Sequence, residues 1–112
     1  MAMEISQKIL ATLDKLDGVF RRHDQPGSNS AALGQVRSIC IDLKGHHGYI
    51  TEKAGRISQL AAIYYSDRQY LKHPGGHESL LAEMSFQLPN VIRSQVHYLD
   101  SISTDHPDGE LD

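Results

Sequence analysis

The stretch "IDLKGHHGYITEK", residues 41–53, decides whether the middle of this chain is one helix or two. Upstream of it, Leu33, Val36, Cys40 and Leu43 recur at helical spacing, and downstream Ala54, Ile57, Ala61, Tyr64 and Tyr65 do the same. Between them stand Gly45 and Gly48, each of which disfavours a helix interior by about 1 kcal/mol relative to alanine. The expectation is a bend, with Lys44 and His46 near the C-terminus of one helix, where a cation suits the dipole. A second helix then starts with Thr51 as its cap. A single bent helix through "GHHG" is the competing reading, and the choice between the two sets the helix count at four or three.

Working outward, Ser30 is a candidate N-cap for the helix before the bend, and "HDQPGSNS", residues 23–30, is the loop preceding it. Before that loop, Ile5, Ile9, Thr12, Leu13, Leu16, Val19 and Phe20 share one face of a first helix over residues 4–22. The helix after the bend is expected to run to about Leu71, where "KHPGGH", residues 72–77, stops it. A last helix over residues 77–103 carries Leu81, Met84, Leu88, Val91, Gln95, Tyr98 and Ile102 at alternating steps of four and three, close to a heptad seam. Pro89 lies inside it, lacks an amide donor and crowds the carbonyl of Ser85, which predicts a kink around Phe86 to Leu88. The fold class expected is all-α: a four-helix bundle whose last helix is long and kinked near Pro89. Residues 1–104 are expected to form a single domain, and 105–112 an acidic, disordered tail.

Composition bounds the function. The chain has 112 residues, enough to bury about two-thirds of the surface its unfolded form exposes. A net charge of -3 argues against electrostatically driven binding to nucleic acid or to anionic membranes. The lone Cys40 has no intrachain disulfide partner, no segment is apolar for about 18 to 20 residues, and the first residues do not read as a secretory signal. A soluble, cytoplasmic protein is therefore expected.

Seven histidines raise the question of a metal: His23, His46, His47, His73, His77, His97 and His106. Bundle metal sites draw ligands inward from facing helices. His46 and His47 are neighbours and point about 100° apart on a helix, and His73 and His77 belong to a loop. The reading preferred here is solvated histidines at loops and helix ends, with no cofactor. A metal- or cofactor-binding bundle using His46, His47, His73 and His77 is the alternative. Cys40 falls on an apolar stripe, where cysteine acts as a small hydrophobe more often than as a nucleophile.

The residues "IDLKG" resemble the Lys-Gly end of the His-x-x-Lys-Gly pattern of histidine-phosphotransfer domains, at Lys44 and Gly45. The phosphoacceptor position falls on Ile41, so the resemblance implies a receiver-binding bundle without phosphotransfer chemistry.

Four apolar residues lie off the main stripes: Leu10, Ile41, Ile63 and Phe86. Phe86 shares a face with Asn90, Arg93 and His97, and aromatic residues with arginine are the types enriched at interface hot spots. The function expected is therefore that of a non-enzymatic, helical protein–protein interaction module, regulatory, adaptor-like or inhibitor-like. Phe86, Asn90, Arg93, His97 and Ile63 are its candidate partner-binding residues. The partner is an unidentified protein or a second copy in a two-fold homodimer; the competing account has Pro89 swing Phe86 into the core.

Overall fold

A computed structural model describes residues 3–105. The expected tail, 105–112, lies outside the described residues apart from the last helical position. The chain forms α1 (Met3–Arg22), α2 (Ser30–Leu43), α3 (Gly48–Tyr64), a 3₁₀ turn (Gln69–Lys72) and a long last helix. That last helix runs through α4 (Gly76–Ala82), a π segment (Glu83–Gln87) and α5 (Leu88–Asp105). The described residues hold no strand, and the packing is that of a four-helix bundle. α1 packs on α2 and α5, and α3 packs on α2 and α5, so the helices stand at the corners of a square.

"GHHG" is a break between two helices. Lys44 leaves α2 in an extended conformation, and Gly45 takes φ +89°, which a side chain disfavours. α3 then starts earlier than the sequence pattern implied. His47 is its N-cap and accepts a hydrogen bond at Nδ1 from the Tyr49 amide at 3.2 Å. Thr51, expected as the cap, instead lies inside the first turn, where its hydroxyl accepts from the Gly45 amide at 3.1 Å. In the same way Asn29 rather than Ser30 caps α2, its Oδ1 accepting from the Ala32 amide at 3.0 Å.

α3 also ends earlier than expected. It stops at Tyr64 because the two tyrosines there turn to another task. Tyr64 Oη donates to the Asp24 carbonyl at 2.8 Å and Tyr65 Oη to the His23 carbonyl at 2.7 Å. Their own carbonyls accept from the amides of Gly27 (2.9 Å) and Asn29 (3.3 Å). Four bonds thus fasten the α1–α2 loop to the end of α3, and the rings meet edge to face at 5.1 Å. Pairing those loop groups satisfies backbone that would otherwise lose hydration beside the core.

The core joins Ile9, Leu13, Leu16, Val19 and Phe20 of α1 to Val36, Cys40 and Leu43 of α2 and to Ile50, Ala54, Ile57, Leu60 and Ala61 of α3. From the last helix come Leu80, Met84, Leu88, Ile92 and Val96. This row differs from the expected heptad seam. Val91 and Gln95 are only half-buried, and Tyr98 is 60% exposed. A row spaced by four drifts about 40° per step around a helix of 3.6 residues per turn. The wider π turn reduces that drift and keeps the row directed inward. It occurs where the kink was expected: the Leu88 amide reaches back to the Glu83 carbonyl, and Pro89, which has no amide hydrogen, follows immediately.

Two stability outcomes follow. Asn29→Ala should lose about 1 kcal/mol and Ser30→Ala much less, as read by urea unfolding. Burial, then the Asp24 charge, pushes the Tyr64 hydroxyl up to about 12; burial, then Tyr64 and Asp24, pushes Tyr65 up as well. A raised folded value means that the native state holds its protons longer than the unfolded chain, whose tyrosines titrate near about 10. Their contribution is complete below about pH 10 and is lost as the pH rises towards about 12. Tyr65→Phe should flatten that alkaline fall in stability, which denaturant melts across the same pH range would record.

Candidate functional site

Among the described residues the exposed large apolar side chains are Ile5, Ile41, Tyr49, Leu71, Phe86 and Tyr98, and two of them stand on the last helix. Phe86 is 66% exposed and Tyr98 60% exposed, one helical ridge apart, with Asn90 and Ser94 between them. Phe86 stays outside because Met84 and Leu88, two residues to either side and about half a turn away, face the core. The account in which Pro89 swings Phe86 inward does not hold.

Arg93 is fixed rather than free. Its Nη2 donates to Asp17 Oδ2 at 2.5 Å and lies 3.4 Å from Asp14 Oδ1, both on α1, while Nη1 reaches Asn90 Oδ1 at 3.3 Å. The Arg93 and Asp17 side chains are about three-quarters removed from solvent, so this pair links α5 to α1 with less screening than a surface pair has. Asp14 and Asp17, on the polar face of α1, carried no signal in the sequence because their partner is 76 to 79 residues away.

Phe86, Asn90 and Arg93 are therefore brought together. With Leu81, Phe20 and the charged Asp17, Arg21 and Asp24 they line an open hollow of about 500 Å³ between α1 and the last helix. On the other flank a second hollow, about 450 Å³, lies between Tyr49 of α3 and Asn90, Val91, Ser94, Gln95 and Tyr98. Asn90 borders both. His97 is exposed on the same helix. Ile63 does not join them: it packs half-buried against the core and lines a separate hollow with Gln69, Lys72, His73 and Pro74. Leu10 likewise broadens the core, whereas Ile41 stays 64% exposed on α2.

The histidines are dispersed. His46 donates from Nε2 to the Asp42 carbonyl at 3.1 Å, bonding a free carbonyl at the end of α2, and His47 caps α3. His73 ends the 3₁₀ turn, and His77 sets its ring edge to face against Tyr70 at 6.3 Å. The two pairs lie beyond opposite ends of α3, whose 17 residues span about 25 Å. Among the described residues no group of three or more His, Cys, Asp or Glu side chains is placed to hold a metal ion. Cys40 is fully buried, and burial raises its thiol against a smaller opposing effect of a hydrogen bond with Ser58, which keeps it in the neutral form. Among the described residues, no helix is long and apolar enough to cross a membrane.

The fold and this face define an all-helical bundle with an uncovered aromatic ridge on its last helix. No protein-family model matches the chain, and neither a curated protein nor a solved structure does.

Because Phe86 faces solvent, Phe86→Asp should leave the stability of the dilute protein within about 0.5 kcal/mol, whereas a buried site would lose several. Arg93→Ala should lose about 1 kcal/mol, shrinking in high salt, since it removes a partly buried charge pair and little else. Urea melts at two salt concentrations check both.

Proposed function

We propose that this chain is a non-enzymatic interaction module that acts by presenting the last-helix face to a protein partner, in the manner of an adaptor or an occluding inhibitor. The observation that carries the reading is the pair Phe86 and Tyr98, two large rings left in water on a helix whose opposite row is fully packed. Exposed apolar residues are common singly. Two on one ridge, each beside a hollow, form an anchor-and-pocket surface of the kind interfaces concentrate their energy in. Arg93 supports the surface by tying it to α1, so the face is held in one geometry before any partner arrives and loses little freedom on binding. The histidines at helix ends serve capping and carbonyl bonding, which fits a scaffold role.

The test is capture from the source cell with immobilised protein, followed by mass spectrometry. Wild-type protein should retain a defined partner, foreign or a second copy of the chain, that Phe86→Asp and Tyr98→Asp both lose while Ile41→Asp retains it. A partner retained equally by all variants, or lost only with Ile41→Asp, moves the function off this face.

A further inference from the structure

We infer that the starts of α2 and α3 are proton-sensitive: the cap of each helix is held by a neutral imidazole, His23 for α2 and His47 for α3, and acid releases both. The Asn29 amide bonds the Tyr65 carbonyl, so the start of α2 lies against the end of α3 and the two caps stand at opposite ends of the α2–α3 hairpin. This device does not depend on what the last-helix face binds.

The protonation state of each ring follows from its partner. Asn29 Oδ1 accepts from the Ala32 amide at 3.0 Å, and a backbone amide only donates, so the orientation of the Asn29 side chain is settled. Its Nδ2 therefore points at His23 Nδ1, 3.3 Å away. Nδ2 is a donor too, so His23 Nδ1 is the acceptor and the single ring hydrogen is on Nε2. His47 gives the same answer directly, because its Nδ1 faces the Tyr49 backbone amide at 3.2 Å. A second proton on either ring goes to Nδ1, the nitrogen without one. It sets N–H against N–H where a hydrogen bond stood.

The surroundings do not compensate. A cation at a helix N-terminus opposes the dipole, and both rings stand at one. Among the described residues neither ring forms an ion pair with a carboxylate. His23 lies between Arg22 and Asp24 in the chain, with Tyr64 and Tyr65 of α3 bonded to the Asp24 and His23 carbonyls; α2 brings no charge before Arg37. Around His47 come Lys44 and His46 of the break and Tyr49, Glu52 and Lys53 of α3, with Tyr98 of α5 across the hollow from Tyr49. His46 is the contrast. Its Nε2 donates to the Asp42 carbonyl at the end of α2, so a second proton leaves that bond intact and suits that end of the helix. The two adjacent histidines of "GHHG" thus answer acid in opposite senses.

An unconstrained imidazole takes its second proton near about pH 6.5. The unfolded chain accepts it freely and the native caps do not. The caps therefore contribute fully above that range, and their contribution is lost as the pH falls through it. A lost N-cap corresponds to about fivefold in the folding constant. Tyr49, whose amide His47 holds, also lines the α3-side hollow, so acid loosens one wall of it.

Urea melts at pH 8 and pH 5 test the device. The wild-type folding constant should fall at least tenfold between them. The double variant His23→Gln, His47→Asn keeps a side-chain carbonyl acceptor at each cap and takes no proton there. Its fall should be at least fivefold smaller than that of the wild type, while His46→Gln should keep the full fall. Circular dichroism at pH 8 confirms that the variants are folded. Nitrogen NMR of the wild-type rings needs no substitution: at pH 8 His23 and His47 should both carry their hydrogen on Nε2. A hydrogen on Nδ1 of either ring at pH 8 overturns the device at that ring. A double variant that falls as steeply as the wild type, or a His46→Gln chain that loses the fall, overturns it altogether.

Discussion

The constraint from which the rest of this structure follows is a buried row on the last helix whose members are always four residues apart: Leu80, Met84, Leu88, Ile92 and Val96. An ordinary helix does not keep such a row on one side, because four residues exceed its turn. The chain meets this with a π segment at Glu83–Gln87, one turn that is wider than the rest. Pro89 sits directly after it, so part of the hydrogen-bond ladder is already interrupted there and the wide turn costs less than it would in an intact helix. The Ser85 hydroxyl donates to the Leu81 carbonyl at 2.7 Å and so bonds one carbonyl at the entrance of the wide turn. The outcome is one continuous packing face against both α1 and α3, and an opposite face that the same geometry leaves to solvent.

A second device holds the other end of the bundle. The paired tyrosines at the end of α3 reach across to the α1–α2 loop and bond it in both directions, hydroxyl to loop carbonyl and tyrosine carbonyl to loop amide. This fixes where α1 ends relative to α3. It matters for the last-helix face because α1 carries Asp14 and Asp17, the carboxylates that hold Arg93. Packing, loop and ion pair therefore form one chain of dependence. The core row sets the rotation of the last helix, the tyrosines set the position of α1, and the Arg93 pair locks the two together beside Phe86.

The surface beside Phe86 is thereby held in one geometry. The ridge is uncharged, flanked by two shallow hollows of similar size, and large at its ends but small at its middle. The resemblance of "IDLKG" to a phosphotransfer motif concerns a different surface, on α2, where Ile41 is exposed and Lys44 ends the helix.

The sequence alone determined the all-helical class, a bend at "GHHG", the α1 to α3 stripes and the position of the disturbance near Pro89, while the tertiary structure decided that the bend is a break between two helices rather than one bent helix. These are local properties: spacing of apolar residues, glycine's dislike of a helix interior and proline's missing donor all act within a few residues. Caps were legible only to within a few positions, because Asn29 and Ser30, or His47 and Thr51, are neighbouring polar residues, and the choice between them depends on loop geometry. The rotation of the last helix was decided by the tertiary structure. Two rows were available, and the one through Val91, Gln95 and Tyr98 obeys the ordinary helical period better. A warning was present: that row contains Gln95, whereas the row actually buried is apolar throughout. The placement of Ile63, the ion pair of Arg93 and the role of Tyr64 and Tyr65 were likewise beyond local reading. Each joins residues separated by tens of positions, and such contacts are fixed only when helices with their own preferred faces settle on a shared core.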